Sequence, residues 1–142
     1  KYERTPVKEK KYVNLNTCDS AQLESLPGIG PVLAVRIIKY RNLLGGFAYT
    51  EQLQEVYGLR AETYSLISEK VYADPEDVRK INVNKASYKQ LLRFPYFEKG
   101  EVEAIMNFRK ENGRISGMAD IEDNQLVAAD KIQKLRAYLE FE

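Results

Sequence analysis

The chain has 142 residues, 44% of them hydrophobic and 30% charged, which suits one compact domain or two small ones. It has no apolar run of about 18 residues to span a bilayer, its one cysteine cannot form an intramolecular disulfide, and with no histidine it lacks the commonest general base and metal ligand. The balance of 22 basic to 21 acidic residues argues against binding nucleic acid through a diffuse basic surface, so any such contact falls to a few well-aimed donors.

Residues 1–12 hold five basic and two acidic residues, Arg4, Lys8, Lys10 and Lys11 among them. This composition reads as a disordered basic linker, with a loose contact to DNA or an anionic membrane surface as the alternative. Val13 to Asn16 reads as a short extended lead-in. Asp19, with Gln22 three residues on, signals a capped helix. Leu23 and Leu26 share its inner face, and Pro27-Gly28 ends it. Pro31 opens a second helix, in which Ala34, Ile37, Ile38 and Leu44 keep a helical period as far as Gly45-Gly46. A third helix is expected over 50–57 and stops at Gly58. A fourth is expected over 61–70, with Tyr64 and Ile67 inward. Asp74-Pro75-Glu76-Asp77 is a polar joint.

After the joint the pattern starts again at an offset of 68 residues, without a gap. Val13-Asn14-Leu15-Asn16 returns as Ile81-Asn82-Val83-Asn84, Leu26-Pro27 as Phe94-Pro95, Tyr40-Arg41 as Phe108-Arg109, and Gly45 as Gly113. Ser87 and Gln90 repeat the capping box. The fold class is therefore all-α, built from two tandem double-hairpin units at 13–73 and 81–142, joined by a linker at 74–80.

The turn Leu26-Pro27-Gly28-Ile29-Gly30 carries the candidate chemistry. Two glycines one residue apart permit positive φ and let an anion approach the main chain. The helix that follows offers unpaired amides and the positive end of its dipole. The candidate phosphate-binding residues are Gly28, Ile29, Gly30 and Val32, with Arg36 and Lys39 further along the helix and Arg60 in the second hairpin. Ile29 is expected to anchor the loop in the core, and Pro31 has no N–H to give.

The run Leu26-Pro27-Gly28-Ile29-Gly30-Pro31, then Ala34 and Ile37-Ile38, resembles the helix-hairpin-helix consensus. With Val13-Asn14-Leu15-Asn16-Thr17, Tyr40-Arg41, Gly46-Phe47 and Leu53 it is similar to the ComEA family of DNA-uptake receptors. The resemblance covers the first unit and, more weakly, the second. It implies sequence-independent binding of double-stranded DNA through the backbone, and an extracytoplasmic location, with any membrane anchor upstream of Lys1. Such proteins often carry a basic residue three places after the second glycine, where this chain has Leu33.

The other hairpins depart further. Arg60 replaces the second glycine in Val56-Tyr57-Gly58-Leu59-Arg60. Phe94-Pro95-Tyr96-Phe97-Glu98 keeps neither glycine and puts Glu98 and Glu101 where phosphate would sit. Asn124-Gln125-Leu126-Val127 has no glycine. The second unit thus reads as a relative that has lost backbone binding. Tyr96-Phe97 suggests either a repacked hairpin or a surface for a protein partner, and Leu33 is a candidate for a similar surface. Tyr40, Tyr64 and Phe108 are expected in the core. Three functions compete: DNA binding by one working hairpin, a protein-interaction scaffold that keeps the fold without the ligand, and, least favoured, a glycosylase-type enzyme, for which the chain is too short. No metal and no cofactor is implied.

Overall fold

A computed structural model describes residues 12–142; the basic segment read at 1–12 lies, apart from Tyr12, outside the described residues. The first unit runs β1 (Val13–Asn14), α1 (Ser20–Glu24), α2 (Pro31–Leu44), a 3-10 helix (Thr50–Glu55), α3 (Ala61–Ile67) and β2 (Val71–Tyr72). The second runs β3 (Ile81–Asn82), α4 (Tyr88–Arg93), α5 (Lys99–Asn112), α6 (Met118–Asp123), a 3-10 helix (Ala129–Lys131), α7 (Ile132–Leu135) and β4 (Leu139–Glu140).

Two elements differ from expectation. The expected third helix is a 3-10 helix that ends at Glu55, and the fourth stops at Ile67. The extended lead-in also has a partner. β1 pairs in parallel with β2 at Val13↔Val71, and β3 pairs with β4 at Ile81↔Leu139. Each unit is thereby closed at its own ends. The chain folds back on itself because Val13 N–H donates to Lys70 O, and Leu15 N–H to Tyr72 O, both at 2.9 Å.

The repeated Asn-x-Asn lead-in is explained by what those side chains do. Asn14 Oδ1 accepts from Asn16 N at 3.0 Å, tightening the turn. Asn16 then reads both backbone groups of Phe47, accepting from its N at 2.7 Å and donating to its O at 2.9 Å. Asn84 does the same to Ile115, at 2.7 and 2.8 Å. Arg41 donates from Nη1 to Leu15 O and Cys18 O at 3.0 and 2.8 Å. Arg109 repeats this on Val83 O and Ala86 O at 3.0 and 2.7 Å. These guanidiniums are fasteners, satisfying backbone carbonyls that a short lead-in would otherwise leave without partners.

The capping boxes form as the sequence predicts. Asp19 accepts from Gln22 N at 2.8 Å, and Ser87 from Gln90 N at 3.1 Å, each with the reciprocal glutamine contact. Leu23, Ala34, Ile37, Leu53 and Ile67 are fully buried, as are their counterparts Leu91, Val102, Ile105, Ile121 and Leu135. Tyr40, Tyr64 and Phe108 are half-buried against this core rather than inside it.

One hydrophobic core runs through both units. The joint at 74–80 is part of the packing rather than a loose linker. Asp74 caps a 3-10 turn over Pro75–Asp77, Val78 is buried, and Arg79 N–H donates to Gly45 O at 2.8 Å. Tyr96 and Phe97 are 8% and 5% exposed, which rules out the partner-surface reading. They are the repacked hairpin, and it faces the first unit. Phe94, Tyr96 and Tyr138 form an aromatic cluster with ring centroids 5.5–5.8 Å apart.

Polar groups in this contact are all satisfied. Gln52 is 3% exposed, accepts from Ala48 N at 2.7 Å, and donates from Nε2 to the hydroxyls of Tyr96 and Tyr138 at 2.6 and 2.8 Å. Tyr138 donates to Gly46 O at 2.7 Å. Glu55 accepts from Tyr40 and Tyr96 at 2.6 and 2.7 Å and pairs with Lys134 Nζ at 3.3 Å. Burial pushes the Tyr138 phenol up to about 12, and burial with the neighbouring Glu55 carboxylate raises Tyr40 and Tyr96 as well. All three therefore remain neutral hydrogen-bond donors across the working pH range.

Candidate nucleic-acid interface

The first unit carries two hairpins of one shape. In the first, Ile29 N–H donates to Leu26 O at 3.2 Å, Gly28 has φ of 81°, and Ile29 is 4% exposed. In the second, Leu59 N–H donates to Val56 O at 3.1 Å, Gly58 has φ of 86°, and Leu59 is 7% exposed. Only the first glycine of the pair needs the left-handed region. Gly30 is extended (φ −96°, ψ −175°), as is its counterpart Arg60 (φ −79°, ψ 157°), contrary to the expectation that both glycines use positive φ.

The two hairpins pack reciprocally. A Cβ on Gly28 would lie 3.0 Å from Thr63 Cγ2 on α3. One on Gly58 would lie 2.4 Å from Arg36 Nη1 and 3.6 Å from Leu33 Cδ2, both on α2. Each turn thus rests on the helix that follows the other, which sets α2 and α3 starting side by side. Leu33 is half-buried as the wedge between them, so it does not form the outward surface considered from the sequence.

Gly30 has no internal reason to be glycine. Its conformation suits any residue, and a Cβ there would meet nothing within 4 Å. It is the N-cap of α2 and makes no side-chain cap bond, and Pro31 brings no N–H. Among the described residues, the amides of Gly28, Gly30, Val32 and Leu33 have no internal acceptor. Val32 and Leu33 lie in the first turn of a 14-residue helix whose dipole favours an anion, and Gly28 and Gly30 immediately precede it. Ile29 leaves the donor set, because its side chain is core and its N–H is spent on Leu26.

The candidate cations divide. Lys39 and Arg60 are exposed and make no ion pair among the described residues. Arg36 is engaged elsewhere. It donates to Tyr57 O at 3.2 Å, and its guanidinium lies 4.8 Å from the Tyr57 ring centroid. It braces the second hairpin instead of standing free as a counter-charge. Reading the sequence missed this pair; its only local signal was an aromatic where the first hairpin has Pro27.

The second unit shows what these amide positions do when the chain supplies its own anion. Glu98 stands at the position of Gly30, Glu101 at Leu33, Ala128 at Arg60 and Lys131 at Thr63. The Glu101 carboxylate accepts from Glu98 N at 2.9 Å, from Ala128 N at 2.7 Å and from Lys131 Nζ at 2.5 Å. Burial opposes its charge, but the Lys131 and backbone hydrogen bonds outweigh that and hold its carboxyl below the usual glutamate range. One internal carboxylate therefore satisfies the starts of both helical hairpins.

Comparison with known proteins agrees with this geometry. The helix-hairpin-helix motif matches residues 8–72 and again 76–140. The chain belongs to the helix-hairpin-helix family. Among curated proteins, this member is similar to "Endonuclease/exonuclease/phosphatase family domain-containing protein 1" of Xenopus laevis, at 25% identity over 87% of this chain and 26% of that protein. The proteins of that name from Danio rerio and Homo sapiens are 26% and 23% identical, each over 77% of this chain and 23% and 24% of their own lengths. The chain thus spans about a quarter of these relatives. No solved structure matches it significantly. Among the described residues no helix is long and apolar enough to cross a membrane, and no cluster of carboxylates and cysteine is arranged to hold a metal ion.

Proposed function

We propose that this protein binds duplex DNA without sequence preference, through the start of α2 and, from the adjoining second hairpin of the first unit, the Arg60 side chain. The observation that carries the reading is Gly30, a glycine that neither backbone nor packing requires, at a helix start whose amides are unpaired. Gly28, Gly30 and Val32 offer amides to one phosphate. Arg60 and Lys39 supply the nearby charge.

Affinity is on the order of micromolar or weaker, and the two cations set a log–log salt slope of at least about −2. In this reading the chain contributes binding, not catalysis. The setting of DNA uptake outside the cytoplasm rests on the ComEA likeness of the first unit alone. The scaffold reading is favoured for the second unit by Glu101, which already fills the anion position there. That unit then serves to hold the first rigid.

Fluorescence anisotropy with three blunt duplexes of unrelated sequence, at 50 and 200 mM salt (about those values suffice), tests this. Equal binding to all three, weakened by salt, is expected. Absence of binding at the lower salt, or strong preference for one sequence, sinks the reading.

A further inference from the structure

Tyr57 is the most exposed large hydrophobic side chain among the described residues, at 81%. Two other exposed tyrosines, Tyr12 and Tyr72, cover each other edge to face at 6.5 Å. Tyr57 instead stands at the tip of the second hairpin, and Arg36 fixes it there in two ways. The guanidinium donates to the Tyr57 carbonyl at 3.2 Å while lying 4.8 Å from the ring centroid. Gly58 keeps the space for it, since a Cβ there would come within 2.4 Å of Arg36 Nη1. A guanidinium over one face leaves the opposite face to solvent. Arg36 thus biases this aromatic plate toward one position and lowers the conformational cost of using its free face.

The surroundings select the ligand. Arg60, three residues on, is exposed and unpaired among the described residues, and the amide-lined start of α2 lies beside this hairpin through the Gly28–Thr63 and Gly58–Leu33 contacts. A flat π face next to cationic and amide donors fits a planar base carrying its own phosphate. Bases inside an intact duplex are already stacked, so the plate serves only a base that lacks a partner.

We propose that Tyr57, backed by Arg36, stacks an unpaired nucleobase at the end or gap of a duplex gripped by the first unit, so that the protein prefers single-strand/double-strand junctions over blunt duplex. This rests on the backbone-binding reading above and adds a specificity to it.

The test uses the full chain with a blunt duplex and the same duplex bearing a short overhang of about three nucleotides, enough to present one unpaired base for stacking. A 2-aminopurine at the junction reports stacking. The parent should bind the overhang form about tenfold more tightly and quench the probe, as one base stack predicts. Tyr57→Leu should lose the preference and the quenching while binding blunt duplex as the parent does. Tyr57→Trp should retain both. Equal binding of the two DNAs by the parent overturns the plate and leaves the hairpin reading standing. It would point instead to Tyr57 as a protein-docking residue. Loss of blunt-duplex binding in Tyr57→Leu, or a preference that survives it, also overturns the proposal. Binding of neither DNA overturns both readings.

Discussion

Replacing Gly30 by aspartate should move stability and binding in opposite directions. The N-cap position of α2 is extended and open, with nothing within 4 Å of a new Cβ. An aspartate there can accept from the amides of Val32 or Leu33, as Asp19 already accepts from Gln22 N at 2.8 Å in α1. Relative to glycine such a cap adds a few tenths of a kcal/mol, and its charge at a helix start adds about 0.3–1 kcal/mol. The melting temperature should hold or rise by up to about 4 °C. DNA binding should fall. Capping consumes an amide that would otherwise donate to a charged oxygen, worth about 1.5–3 kcal/mol. A carboxylate about 5 Å from a phosphate adds about 3 kcal/mol of repulsion at an effective dielectric of 20, before salt screening. Even half of the combined effect weakens Kd about fortyfold or more. Gly30→Asn, an uncharged cap, separates amide capture from repulsion and should lose less. Thermal melts by circular dichroism and anisotropy titrations read the two quantities on the same samples. Parent-like binding by Gly30→Asp would refute the assignment. A drop of several degrees together with lost binding would refute the claim that Gly30 is free of structural duty. Gly28 is unsuited to the experiment, because its φ of 81° and its contact with Thr63 make any side chain there a folding defect.

Two further outcomes follow from the second unit. Tyr138→Phe removes the hydroxyl that Gly46 O accepts at 2.7 Å, leaving that buried carbonyl unpaired, so urea unfolding should show a loss of about 1–3 kcal/mol; a change under about 0.5 kcal/mol would deny the hydroxyl its role between the units. Glu101 has a folded pKa below its unfolded one, so its contribution to stability is present above the unfolded value and lost as pH falls through the folded value. The parent should therefore lose stability in acid more steeply than Glu101→Gln, which has no such carboxylate to protonate, and parallel pH profiles for the two would contradict this.

The sequence alone determined the repeat, the helix starts and the first hairpin. These depend on short-range physics: Asp19 and Ser87 cap within one turn, Pro31 opens a helix, and Gly28 supplies positive φ where the chain reverses. Gly30 was legible as a candidate binding residue, and what the structure adds is open space rather than a need for positive φ. Tertiary structure decided the rest, because the partners are far apart in the chain. Gln52 meets Tyr96 and Tyr138 across 44 and 86 residues, and Arg36 reaches Tyr57 across 21. No periodicity announces such pairs. The same distance effect turned Tyr96-Phe97 from a candidate outer surface into the contact between units, and removed Arg36 from the free charges. A hairpin motif states locally that a helix start is available; only the packed chain shows whether an internal carboxylate, as Glu101 does in the second unit, has already taken it.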